Sequence, residues 1–250
     1  MSGPISVGAP ADAPTDEVHA ALSARDVVKE FRGGDGALLR ILDGVSLAVR
    51  RGEMVAVVGA SGAGKSTLLH VLGALERPTR GDVWLGGTRV AGRDDDTLAA
   101  LRNRTVGFVF QFHHLLREFS ALENVMMPLR IAGHTPAVAR DRAATLLERV
   151  GLGARMEHRP GALSGGEQQR AAVARALAAD PAVLLADEPS GNLDHANAER
   201  LHDLFASLAR DLELGMVVVT HNRSLAQRAD RSLLLEDGRL VETDLGEALT

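Results

Sequence analysis

Met54-Val55-Ala56-Val57-Val58-Gly59-Ala60-Ser61-Gly62-Ala63-Gly64-Lys65-Ser66-Thr67-Leu68-Leu69 decides the fold. Met54 to Val58 is a short apolar run rich in valine, suited to a strand buried on both faces. The next eight residues fit G-x-x-x-x-G-K-[ST], and Ser66 to Leu72 continues with a helical pattern. Strand, glycine-rich turn and helix in that order make a phosphate cradle. The glycines let successive backbone N–H groups converge, Lys65 can reach the β and γ phosphates as a compact charge, and the Ser66 hydroxyl can hold Mg²⁺. Gly59, Ala60, Ser61, Gly62, Ala63, Gly64, Lys65, Ser66 and Thr67 are therefore the candidate nucleotide ligands. Among 28 basic residues only Lys29 and Lys65 are lysine, so the chain uses arginine wherever either cation serves. Lys65 marks a place where a broad, planar guanidinium does not serve.

The chain has 250 residues, 45% of them hydrophobic, which is enough to fill a substantial core. Its net charge of −5 argues against a nonspecific nucleic-acid binder, so no nucleic-acid partner is expected. With no cysteine, disulfides and thiolate metal sites are excluded. Residues 1–19, rich in Ala, Pro and Gly, lack the basic start and apolar core of a secretory signal and read as a disordered tail. No apolar run approaches the roughly 18–20 residues needed to span a bilayer. A membrane role would have to come through a partner.

Short β-branched runs alternate with longer helical patterns, the mark of an α/β sheet. Met54 to Val58, Ala182 to Ala186 and Met216 to Thr220 read as its strands. Leu22 to Val49 together with Gly81 to Val90 suggests a small antiparallel sheet. Residues 111–179 differ in texture: Ala121 to Ala132, Pro136 to Val150 and Gly165 to Ala179 read as helices between Gly and Pro breaks, an insertion into the sheet domain.

Two further stretches carry chemistry. Ala182-Val183-Leu184-Leu185-Ala186-Asp187-Glu188 is an apolar strand stopping on two carboxylates, at the edge where ligands of such sheets bind. Asp187 suits a metal, and Glu188 suits the polarisation of a water aimed at the γ phosphate. Leu163-Ser164-Gly165-Gly166-Glu167-Gln168-Gln169-Arg170 starts a second helix, with a capping box from Ser164 to Glu167 and paired glycines that leave N–H groups open to an anion. One nucleotide does not need two such sites in one chain.

Together these motifs resemble the nucleotide-binding subunit of ABC transporters over nearly the whole chain, from about Leu22 to Val241. LSGGEQQR looks like the family signature, Gln111 like its Q-loop, Ser190 to Asp194 like its D-loop, and His221 in Val219-Thr220-His221-Asn222 like its switch histidine. The resemblance implies an α/β P-loop NTPase core, a RecA-like mixed sheet with flanking helices, carrying a small antiparallel β subdomain and an inserted α-helical signature subdomain. Residues 20–250 would form one domain, with 20–110 and 180–250 as the nucleotide-binding core and 111–179 as the helical part. It also implies ATP hydrolysis by a head-to-tail pair of copies, the phosphate loop of one and Ser164, Gly165, Gly166 and Glu167 of the other closing on one ATP. Glu188 would orient water, His221 would contact the γ phosphate, Lys65 would hold it, and Mg²⁺ would be held through Ser66, Gln111 and Asp187. Phe31 stands where the family stacks an aromatic ring on adenine.

Gly107 to Leu116, with Phe119 to Val125, holds four of the six Phe residues and reads partly as core and partly as a surface for a membrane partner. Its wording, QFHHLL with FSALENV and MMPL, resembles the ATPases of lipoprotein-releasing (Lol) systems, with macrolide-export and cell-division ATPases as near relatives. Arg117-Glu118 departs from the Pro-Asp pair frequent there. The resemblance implies integral membrane permease subunits (LolC/LolE-like) as partners, and a peripheral place on the cytoplasmic face of the bacterial inner membrane.

Overall fold

The structure, a computed structural model, describes residues 20–34 and 36–243. The reading of residues 1–19 as a tail lies outside them. Two sheets form the frame. The small one is antiparallel, β1 (Ala20–Arg32) lying between β2 (Leu38–Arg50) and β4 (Arg80–Leu85), with β5 (Thr88–Arg89) at the edge. The large one has the order β10-β9-β3-β8-β7-β6, built from β3 (Met54–Val58), β6 (Val106–Phe110), β7 (Val183–Asp187), β8 (Gly215–Val219), β9 (Arg231–Glu236) and β10 (Arg239–Glu242). All its pairings are parallel except β9 with β10, so the sheet is mixed as the resemblance implies.

Burial on both faces explains why β3, β7 and β8 read as unbroken apolar runs. Along β7, Leu184 and Ala186 face one core while Val183 and Leu185 face the other. The first core is closed by α3 (Ala121–Ile131), α4 (Pro136–Arg149), α5 (Gly165–Ala176) and α6 (His195–Asp211), all carrying buried residues in it. The second contains α1 (Lys65–Leu72), α2 (Asp95–Thr105) and the inner face of the small sheet. A one-turn helix, α7 (Arg223–Ala226), follows β8. Among the described residues no helix is long and apolar enough to cross a membrane.

The phenylalanine cluster divides. Phe108 and Phe110 belong to β6, the edge strand of the large sheet, which the sequence reading does not separate from the surface motif beside it. Their rings stack with centroids 5.7 Å apart, and Phe108 packs on the second core. Phe112 and Phe119 are exposed, as a partner surface requires. Gly73, at the end of α1, makes room for Phe108: a Cβ there would fall 2.1 Å from Cζ of the ring and 2.9 Å from Leu185 Cδ1.

Gly73→Ala should therefore cost about 1–3 kcal/mol of stability by overpacking, and Phe108→Leu in the same chain should recover most of it. Urea unfolding of both variants checks this. A Gly73→Ala chain as stable as the parent would contradict the packing described.

Candidate active site

One transverse row of the large sheet organises the site. Val57, Val219, Asp187 and Phe110 are successive register partners across β3, β8, β7 and β6. Each strand ends within a residue of that row, and each is followed by one of the motifs: Gly59 after β3, Thr220-His221 after β8, Glu188 after β7 and Gln111 after β6. Residues more than a hundred positions apart thus reach one edge of the sheet.

At that edge a cavity of about 370 Å³ is lined by Ile41, Ser61, Gly62, Gly64, Lys65, Ser66, Thr67, Asp187 and Glu188. Gly64 is the N-cap of α1 with φ 99°, a left-handed conformation that an L side chain rarely adopts. It places no capping side chain on the first turn, which carries no acidic residue either. The orphan N–H groups and positive end of α1 therefore offer themselves to an anion. Gly59 is required by crowding, because a Cβ there would meet Leu235 O at 2.5 Å. Lys65 is folded over the loop, its Nζ donating to Gly59 O at 2.8 Å and Ala60 O at 2.9 Å. Ala60 and Ala63 line an adjoining cavity with Leu39 and Gly238.

Glu188 is clamped from β8. Its backbone has φ 44°, and its N–H donates to Val219 O at 2.9 Å. Thr220 Oγ1 donates to one carboxylate oxygen at 3.2 Å, and the N–H of His221 reaches the other at 3.1 Å. His221 Nδ1 lies 2.8 Å from that oxygen, which assigns the proton of a neutral ring to Nδ1. The His221 side chain is 72% exposed while that of Glu188 is 18% exposed. A carboxylate fixed this way can aim a water, with an exposed imidazole beside it. Thr220, buried and adjacent to the histidine, is the contributor that motif reading misses.

Gln111 is not in the phosphate cavity. Its amide pairs with Asn192, Nε2 donating to Oδ1 at 3.1 Å while Asn192 Nδ2 donates to Gln111 O at 3.2 Å. The signature helix grips the same segment: Gln169 Nε2 donates to Phe110 O at 2.8 Å, and Arg175 donates to the carbonyls of His113 and His114 at 2.9 and 2.7 Å. The capping box at its start is formed, with Ser164 Oγ accepting from Glu167 N and Glu167 Oε2 from Ser164 N. Those bonds hold the Glu167 carboxyl below the usual carboxylate range. The two glycines are not equivalent. Gly165 is exposed, whereas Gly166 is buried with its open side against Asn197, where a Cβ would fall 2.6 Å from Oδ1. No residue of 163–170 lines the phosphate cavity.

Phe31 also stands outside that cavity, at the end of β1 opposite Leu39. It is 38% exposed, with Lys29 Nζ 4.7 Å from the ring centroid. Among the described residues no group of three or more His, Asp or Glu could hold a metal ion by itself. Ser66 and Asp187 do line the phosphate cavity together, and this hard-oxygen pair suits Mg²⁺, which binds through one or two protein groups plus phosphate oxygens.

Lys65→Arg keeps the charge but loses the compact ammonium between two carbonyls. ATP affinity measured by calorimetry should fall about tenfold or more. Unchanged binding would show that the loop tolerates a guanidinium.

Comparison with known proteins agrees with this arrangement. The ABC transporter family profile matches residues 42–191. The lipoprotein-releasing system ATP-binding protein LolD of Xanthomonas campestris pv. campestris (strain 8004) is 55% identical over 202 residues, 81% of this chain and 84% of that protein. The protein of the same name from Pseudomonas syringae pv. tomato is 50% identical over 89% of this chain and 98% of its own length. Among solved structures, the ATP-binding cassette MJ0796, as a dimer in a post-hydrolysis state bound to ADP and Pi, aligns with TM-score 0.81 and 36% identity, covering 90% of this chain and 98% of that one. The cbiO1 protein of Clostridium perfringens shares the fold, with TM-score 0.78. A glycine-rich loop before a helix, an acidic strand end and a histidine paired with its glutamate on one sheet edge, in a chain this similar to those proteins, place it in the ABC transporter family as an ATP-binding, ATP-hydrolysing domain.

Proposed function

We propose that two copies of this chain join head to tail at the cytoplasmic face of the bacterial inner membrane. There they use ATP to drive integral membrane subunits that release lipoproteins from the outer leaflet. The observation that carries the cargo is the 55% identity to a lipoprotein-releasing ATP-binding protein over 81% of the chain. Head-to-tail pairing is supported by the separation of the two anion-ready helix starts, and by the dimeric form of MJ0796.

In this reading the phosphate loop of one copy holds the ATP phosphates, and Ser164 and the Gly165 N–H of the other close over the γ phosphate. Ser66 and Asp187, joined by Gln111 once its pairing with Asn192 is exchanged, would hold Mg²⁺, which would supply charge neutralisation at the phosphate oxygens. Glu188 orients the attacking water and accepts its proton as the γ phosphorus parts from the bridging oxygen. ADP and phosphate then leave as the pair opens. Lys65 exchanges its bonds to the Gly59 and Ala60 carbonyls for phosphate oxygens. His221 bridges the glutamate and the γ phosphate, and Phe31 stacks on adenine.

Two surfaces fit a membrane partner. Phe112 is 64% exposed just after Gln111. A groove of about 890 Å³, lined largely by apolar groups including Ala99, Leu129, Ile131 and Val138, lies between α2, α3 and α4. The groove borders α3, whose start is tied to the segment after Gln111 by Asn124: its side chain bonds Leu116 N and O. A push at this surface would reach Gln111 through that segment.

Glu188→Gln should bind ATP normally, turn over about a hundredfold or more slowly, and accumulate as a closed pair on size exclusion. Near-normal turnover would remove Glu188 from its role. Phe112→Ser should leave ATP affinity intact while abolishing ATP-dependent lipoprotein release from spheroplasts expressing the membrane subunits. Equal loss of ATP binding would assign Phe112 to the core instead.

A further inference from the structure

His202 is an imidazole where the fold asks only for an apolar side chain. It lies on the inner face of α6 between Leu201 and Phe205, with no exposed surface. Burying a polar ring costs free energy unless its nitrogens are used. Its Nε2 is 2.9 Å from the Oγ of Ser190, itself buried in the loop that follows Glu188. Its Nδ1 makes no hydrogen bond but faces Glu199 Oε1 at 3.5 Å. A bare Nδ1 lone pair aimed at a carboxylate would be repelled, so Nδ1 carries the proton, Nε2 accepts, and the Ser190 hydroxyl donates.

Glu199 is held in turn by α7. Ser224 Oγ donates to it at 2.6 Å and Arg228 Nη2 at 2.7 Å, which lowers its pKa to about 2 and keeps it anionic. Arg228 also reaches Ser224 Oγ and Asp203. The short helix that contains Ser224 is capped by Asn222, the residue after His221. On the other side, the loop from Ser190 is folded onto Glu188 by Gly191 N donating to Glu188 O at 3.0 Å. The contacts close a ring, because Glu188 and His221 already meet at 2.8 Å. Serine, histidine and glutamate in this order resemble a nucleophile relay, yet Ser190 is enclosed and no substrate could reach it.

We propose that Glu199, His202 and Ser190 form a positioning relay, in which His202 locks the loop at residues 190–194 to the helix behind His221. The water-orienting glutamate and the switch histidine then move as one unit. The proposal rests on the reading that Glu188 orients water and that this loop meets a second copy. When His221 follows a γ phosphate, α7 and Glu199 follow it, and the hydroxyl of Ser190 carries the shift to the loop facing the partner.

A double-variant cycle on the full chain tests it. Ser190→Ala and His202→Phe should each lower kcat about tenfold while KM for ATP stays within about twofold, and the pair together should be no slower than either alone. Ser190→Thr, which keeps the hydroxyl, should restore the rate. If His202→Phe does not fold, Glu199→Gln takes its place in the cycle. Losses that multiply, a Ser190→Thr chain as slow as Ser190→Ala, or kcat changes that merely follow melting temperature would overturn the relay. Failure of Glu188→Gln to accumulate a closed pair with ATP would instead overturn the shared-site reading, whatever the cycle shows.

Discussion

Parallel strands that stop at one level are the constraint on which the rest of this molecule depends. Backbone register between β3, β8, β7 and β6 aligns Val57, Val219, Asp187 and Phe110, and every chemical group follows that row by a residue or two. The register is fixed in turn by burial. Val183, Leu185, Val217 and Val219 fill one core while Leu184, Ala186, Met216 and Val218 fill the other, so a one-residue slip would exchange the two faces. The Val, Leu and Met side chains among these contribute about 1.5–3 kcal/mol each when fully buried, and together they outweigh the few polar contacts at the site. Packing therefore sets the geometry, and the polar groups act within it.

Within that frame the site divides into a rigid part and a part that can move. The phosphate loop is held by close backbone approach at Gly59, and the Glu188 carboxylate by three donors from the end of β8. The Gln111 side chain, by contrast, is held among the described residues by an exposed amide pair with Asn192, while helix α5 holds Phe110 before it through Gln169 and His113 and His114 after it through Arg175. The helical insertion is thus tied to the end of β6 by hydrogen bonds, while its apolar residues share a core with β7 and β8.

Much of this was legible in the chain itself. The strand, loop and helix at Met54–Leu72, the capping box at Ser164 and the acidic end of β7 rest on local chemistry, which spacing reveals, and the structure places the elements within a few residues of expectation. What spacing could not show is tertiary. Gly107 and Phe108 are not separated from the aromatic segment that follows them, because a five-residue edge strand beside an exposed loop has no pattern of its own; the gap at Gly73 explains the ring. Helix α6 is present as a buried face at Ala198, Leu201, Phe205 and Leu208 behind its Asp194 cap, although no helix is named there from sequence alone. Gly166 looked open to a ligand, and is covered by Asn197, thirty-one positions away. His202 carries no local signal, since the hydroxyl that meets its Nε2 belongs to Ser190 in the loop before the helix, and only Glu199 lies on its own helix.

The central claim is that the helix start at Ser164 serves an ATP held by another copy, and complementation in solution tests it most directly. Lys65→Ala disables one phosphate loop and Gly165→Asp one signature, so either chain alone should be inactive. Mixed in equal amounts they form pairs in which one of the two sites is intact, and the account predicts recovery of about a quarter of the parent rate. A mixture as inactive as its components would contradict it, and would return both helix starts to a site within one chain.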